Sequence, residues 1–143
     1  MKEAWLAPLL SLLLISCTST VRVEAERAIA AGERVRKLSI EDQRAALGAL
    51  QSLACDDRDV CHVREACLRV ALPTLAALEH RRDALAFMEA GNAADASAET
   101  VEASKARAGA LLDEAHAALE QGKSAVPDCD GALAVLERSV KGK

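Results

Sequence analysis

Aromatic side chains are almost missing from this chain: one Phe, one Trp and no Tyr in 143 residues. Sugar, nucleotide and single-stranded nucleic-acid sites usually use flat side chains as stacking platforms, so the shortage counts against those ligands. The acidic balance, a formal net charge of -4, opposes nucleic acid too, because binding to phosphates draws on Lys and Arg to release counterions. No phosphate loop, paired-glycine fingerprint or serine-hydrolase elbow occurs; the glycines in Ala31-Gly32-Glu33 and Gln121-Gly122-Lys123 stand alone. With no convergent catalytic set, the chain is expected to be non-enzymatic and to carry no cofactor. Long apolar runs are lacking as well. The one candidate, Leu6 to Ile15, is well short of the roughly 20 residues that span a bilayer.

That short run nevertheless has a pattern. Met1-Lys2 gives a small positive head, Leu6 to Ile15 an apolar stretch, and Ser16 a small residue before a cysteine, the three zones of a secretory signal. Leu14-Ile15-Ser16-Cys17 resembles the lipobox of bacterial lipoproteins: an aliphatic residue, a tolerant position, a small residue and the cysteine. The resemblance implies removal of residues 1–16, a diacylglycerol thioether on Cys17, and often further acylation of the new amino terminus. It covers only the first seventeen residues. Each buried methylene is worth about 0.8 kcal/mol, and two or three chains anchor where one is marginal. Thr18 stands where an aspartate would resemble the inner-membrane retention signal of enteric bacteria. The expected location is therefore the cell envelope, on the outer rather than the inner membrane, with residues 17–19 as a lipidated tether and residues 20–143 facing the periplasm or the cell surface.

Four further cysteines follow, Cys55, Cys61, Cys67 and Cys129, and an even number in an exported chain favours two disulfides. Placing them requires the helices. The composition beyond Cys17 is rich in Ala, Leu, Glu and Arg, with hardly any β-branched clusters, which is helical. Five segments are expected. Segment A runs from about Thr20 to Lys37, and segment B, capped by Ser39 with Glu41 and Asp42 in its first turn, runs through Leu47, Leu50 and Leu53; A and B are either two helices or one long kinked one. After the turn Asp56 to Asp59, segment C carries Val60, Val63, Cys67, Val70, Leu75, Leu78, Leu85 and Met88 before Gly91-Asn92 ends it. Segment D, from about Asp95, is expected to bury Val101, Ala108, Leu111, Ala115 and Ala118 and to stop at Gly122. Segment E starts near Asp128 with Cys129, Leu133, Leu136 and Val140.

Cys61 and Cys67 lie six residues apart on one helix, roughly 9 Å along its axis and beyond disulfide reach. In a hairpin turning at residues 56–59, Cys55 faces the first turn of C near Cys61, while Cys67 and Cys129 share the apolar stripes of their helices. The preferred pairs are Cys55–Cys61 and Cys67–Cys129; Cys55–Cys67 with Cys61–Cys129 is the alternative. The expected fold is all-α, a single antiparallel bundle of four to five helices stapled by two disulfides.

Other chemistry is sparse. Asp113, His116 and Glu120 fall at i, i+3 and i+7, so one helix face presents either a metal array or an ordinary polar surface. His62 beside Cys61, with Cys55 and Cys67, matches no familiar zinc spacing. The basic stretches Arg34-Val35-Arg36-Lys37 and His80-Arg81-Arg82 are solvated faces or contacts for an acidic partner or lipid headgroups. Two functions are compatible with this pattern. One is an envelope lipoprotein that holds to its membrane and binds another envelope protein, but no nucleic acid, through exposed helix faces. The other is a small-molecule- or metal-binding lipoprotein, with an apolar ligand near Phe87 and Met88 or a cation at Asp113, His116 and Glu120.

Overall fold

The structure, a computed structural model, describes the backbone of residues 7–142 and the side chains of residues 20–142. Cys17 and the rest of the lipobox lie outside the described side chains. Four helices account for most of the described chain, with no strand among the described residues: α1 (Ala7–Val35), α2 (Ile40–Gln51), α3 (Arg58–Gly91) and α4 (Ala98–Lys141). No described helix is long and apolar enough to cross a membrane.

The polar residues that begin each of α2, α3 and α4 act as caps. Ser39, extended at φ -120° and ψ 147°, accepts the Asp42 amide at 3.0 Å and starts α2. Asp57 accepts the amides of Asp59 and Val60 to start α3, and Ser97 accepts that of Thr100 to start α4. Each bond satisfies a donor with no partner inside its helix. Segments A and B are thus two helices. Gln43, fully buried, ties them: its amide donates to the carbonyls of Val35 at 2.7 Å and of Lys37, groups left open where α1 ends.

Segments D and E, expected to be separate, are one helix. α4 runs unbroken through Gly122 and Pro127. The physical reason for Gly122 is contact rather than chain termination. A Cβ built there would stand 2.7 Å from Thr74 Oγ1 and 3.2 Å from the Val70 carbonyl oxygen, so the missing side chain is what lets α4 lie against α3. α3 likewise continues through Pro73.

Two disulfides form: Cys55, in the connection before α3, with Cys61 of α3, Cα atoms 4.9 Å apart, and Cys67 with Cys129 at 4.7 Å. The second bridges α3 to α4, and from there partners on α4 fall in number as those on α3 rise: Cys67 with Cys129, Thr74 with Gly122, His80 with Glu114, Gly91 with Ser104. The core divides along this axis. At the disulfide end, α1 (Ala25, Ala28, Ala31, Val35), α2 (Ala46, Leu50), α3 (Val60, Val63, Ala66, Cys67, Val70, Ala71) and α4 (Cys129, Ala132, Leu133, Leu136) bury one another. Farther along, only α3 and α4 continue, around a small separate core of Ala84, Ala108 and Leu111.

Candidate interaction surface

The two-helix part is where the molecule departs from an ordinary core. Alanines, a serine and a glycine dominate the buried line of α4 there, Ser104, Ala108, Leu111, Ala115 and Gly122, which brings the helices close but gives larger side chains nothing to enter. Leu85, expected among the core positions of segment C, is 51% exposed; Leu112 and Leu119 of α4 are 44% and 41% exposed. Met88, another expected core position, is also exposed, and Val101 and Ala118 are only partly buried. These positions follow the apolar period, but the core to which α1 and α2 contribute does not include them; from α2, Arg44 reaches the hairpin as far as Glu79.

The two sides of the hairpin differ. One side is polar: Arg69 Nη2 lies 3.2 Å from Asp128 Oδ2, and His80 Nδ1 lies 3.6 Å from Glu114 Oε2. On the same side Phe87, 40% exposed, borders an open depression with Glu99, Thr100, Ala103, Ser104 and Arg107. Successive residues of a helix turn by about 100°. Leu78 and Leu85 each precede a residue of that polar side, His80 and Phe87, by two positions, which puts them about 160° round α3, beyond the buried Ala77 and Ala84. Leu112 precedes Glu114 by two and repeats seven residues later as Leu119. The four leucines therefore share the opposite side. The register sets Leu78 level with Leu119 and Leu85 level with Leu112.

α1 lies on this leucine side at the disulfide end. A Cβ on Gly32 would stand 2.6 Å from a Leu133 methyl, and Arg36 Nη2 bonds Asp130 Oδ1 at 2.8 Å. Asp130 is eleven residues, three turns, along the same face of α4 from Leu119. The groove that seats α1 thus continues past Val35 as the leucine face.

Charges around this face are unevenly matched. Lys105 pairs with Glu102, Lys123 with Glu120 and Arg82 with Asp83. Arg81 and His116, level with each other between the two leucine pairs, have no ion pair or hydrogen bond among the described residues. In the other basic stretch, Arg36 pairs with Asp130, Lys37 with Asp42 at 3.8 Å, and Val35 is core.

The remaining candidates do not assemble. Asp113, His116 and Glu120 are all exposed, and no three His, Cys, Asp or Glu side chains among the described residues converge to hold a metal. Cys55, Cys61 and Cys67 are bridged, which takes them from His62 as metal partners. Leu112 and Leu119 are functional candidates that sequence reasoning misses; their spacing of seven residues, matching Leu78 and Leu85 on the facing helix, is the signal that could find them. Comparison with known proteins adds no assignment: no family model matches the chain, and neither a curated protein nor a solved structure is similar to it.

Proposed function

We propose that this chain is a non-enzymatic bacterial envelope lipoprotein, an antiparallel helical bundle that is held to the outer membrane through Cys17 and binds another envelope protein with its projecting α3–α4 hairpin. The observation that carries the binding function is the leucine side: three leucines about half exposed on one face, at the point where the covering helices stop. Isolated exposed leucines are ordinary, but a contiguous apolar face marks an interaction site. The anchor rests on the lipobox. Glu24 accepts the Ala54 amide at 3.2 Å, which seats this part of α1 at the disulfide end, and Gly91 lies 24 residues beyond Cys67, about 36 Å of helix. An anchor at Cys17, seven residues before Glu24 in α1, would hold the disulfide end at the membrane and project the hairpin into the periplasm or outward from the surface.

A second reading keeps the open depression beside Phe87 as a seat for a small apolar ligand. The half-exposed ring favours it, and the openness of the depression weighs against it.

Two measurements test the proposal. Intact mass of membrane-purified protein should show a lipid-sized increment that Cys17→Ala loses; an unlipidated Cys17 would remove the anchor. A photo-crosslinking residue at position 85 or 112, in cells, should give discrete adducts with another envelope protein that are missing when it is placed at exposed position 65 in the four-helix end. Equal adducts at all three positions would remove the hairpin as the binding element.

A further inference from the structure

The partner's chemistry can be taken further, on the reading above that the hairpin binds protein. The geometry points to a single amphipathic, acidic helix of the partner protein, lying in the groove beyond Val35 between Leu78 and Leu85 of α3 and Leu112 and Leu119 of α4. Three observations carry this. The groove is on the side of the hairpin that already seats a helix of this chain, with Gly32 against Leu133 and Arg36 bonded to Asp130, so its width and direction suit another helix beyond the α1–α2 turn, whose Arg44 reaches Glu79 beside Leu78. The leucines repeat at seven residues on both walls, about 10 Å of rise, and a partner helix with apolar residues at i and i+7 meets both pairs. Between the pairs stand Arg81 and His116, neither engaged by this chain among the described residues, so a carboxylate at the middle of the partner's contacting face finds hydrogen-bond donors on both walls. Lys105 and Lys123 flank the face, each paired with a Glu of its own helix, and the exposed acid Glu89 stands one turn beyond Leu85 at the tip end, so the unengaged donors lie at the middle of the face.

A second copy of the chain fits this face less well. A two-fold axis through the centre of the leucine face and across the hairpin sets α3 on α3 and brings Arg81 towards its own symmetry mate, uncompensated. A two-fold axis along the hairpin is blocked, because α1 occupies the same side at the disulfide end and holds the two leucine faces apart. A membrane surface is also disfavoured, since α1 forms a step that a flat bilayer would have to bend around.

The test uses the soluble chain lacking its anchor and two synthetic peptides, each about 18 residues or five helical turns. Both carry leucine at heptad spacing; one has glutamate at the flanking positions and the other lysine. Fluorescence anisotropy should show the acidic peptide binding at least tenfold more tightly than the basic one, and more weakly as salt rises. Leu85→Asp and Leu112→Asp should each weaken binding tenfold or more, Arg81→Glu should reverse the preference between peptides, and Leu72→Asp should leave binding unchanged. Leu72 is 50% exposed on the outer face of α3, so it controls for a general loss of apolar surface, and a melting curve for each variant establishes that it is folded. Equal binding of the two peptides, or binding of neither, overturns the inference; crosslinks from positions 85 and 112 that persist in that case leave the protein-binding reading standing without it. A dimer in sedimentation that Leu112→Asp abolishes would assign the face to a second copy, and displacement of the acidic peptide by anionic vesicles would assign it to lipid. Either result also overturns the inference.

Discussion

Gly122 of α4 touches Thr74 of α3 so closely that a methyl group on Gly122 would stand 2.7 Å from the Thr74 hydroxyl. The contact lies at the boundary between the four-helix end and the bare hairpin, and it turns a residue that ordinarily stops helices into the closest approach between two of them. Gly122→Val should therefore separate α3 from α4. We expect a loss of about 1–3 kcal/mol, the usual cost of overpacking. Gly109, where an added Cβ would have no neighbour within 4 Å, provides the opposite sign: Gly109→Ala should gain about 0.5–1 kcal/mol from helix propensity alone. Urea unfolding of the two variants beside the parent measures both.

The disulfide linking Cys67 to Cys129 closes a separation of 62 residues, the other a separation of 6. On the chain-entropy argument the long loop contributes about 4 kcal/mol and the short one about 2.4 kcal/mol. A core built largely from alanine buries little area per residue, so reduction should lower the melting temperature markedly. Replacing Cys67 and Cys129 together by alanine should reproduce most of the fall, and replacing Cys55 and Cys61 a smaller part. Melting that is unchanged by reductant would show that the helices hold without staples.

Gln43 donates to two carbonyls at the end of α1 while its own carbonyl oxygen is buried without a hydrogen-bond partner. Gln43→Leu removes both donors and strands the acceptors of Val35 and Lys37. The expected cost is about 1–3 kcal/mol, the penalty for buried polar groups left unsatisfied. Hydrogen exchange should show the loss first at the junction of α1 and α2, as faster exchange in residues 36–43.

Leu50 is fully buried and Leu85 is half exposed. In the isolated protein, Leu50→Ala should cost about 2–5 kcal/mol, whereas Leu85→Ala and Leu112→Ala should stay within about 0.5 kcal/mol of the parent. Chemical denaturation reads the difference directly. A large loss at Leu85 or Leu112 would mean that these side chains serve the fold rather than a partner.

Much of the fold is legible along the chain because it rests on local chemistry. Ser39 and Asp57 have short polar side chains that satisfy amides two or three residues ahead, and Gly91-Asn92 closes α3 where the apolar period ends. The disulfides are open to argument from helix geometry, since six residues of helix hold Cys61 and Cys67 apart whatever the rest of the chain does. The candidate surface is legible only in part. The apolar period places Leu85 on a face without revealing that nothing covers it, and Leu112 and Leu119 stand outside the narrow buried stripe of α4.

The amino-acid sequence by itself determined that this protein is helical, where α2 and α3 begin, and how thin its core must be, because capping, propensity and side-chain volume act within a few residues of one another. Only the tertiary structure decided that Gly122 joins helices instead of ending one, and that Leu85, Leu112 and Leu119 stay half exposed on one face. Both depend on how far a distant segment reaches: α4 approaches Thr74 where a Cβ would forbid it, and α1 stops at Val35 before the groove ends. A period in sequence names the face that seeks cover, while the length and path of another helix determine whether cover arrives.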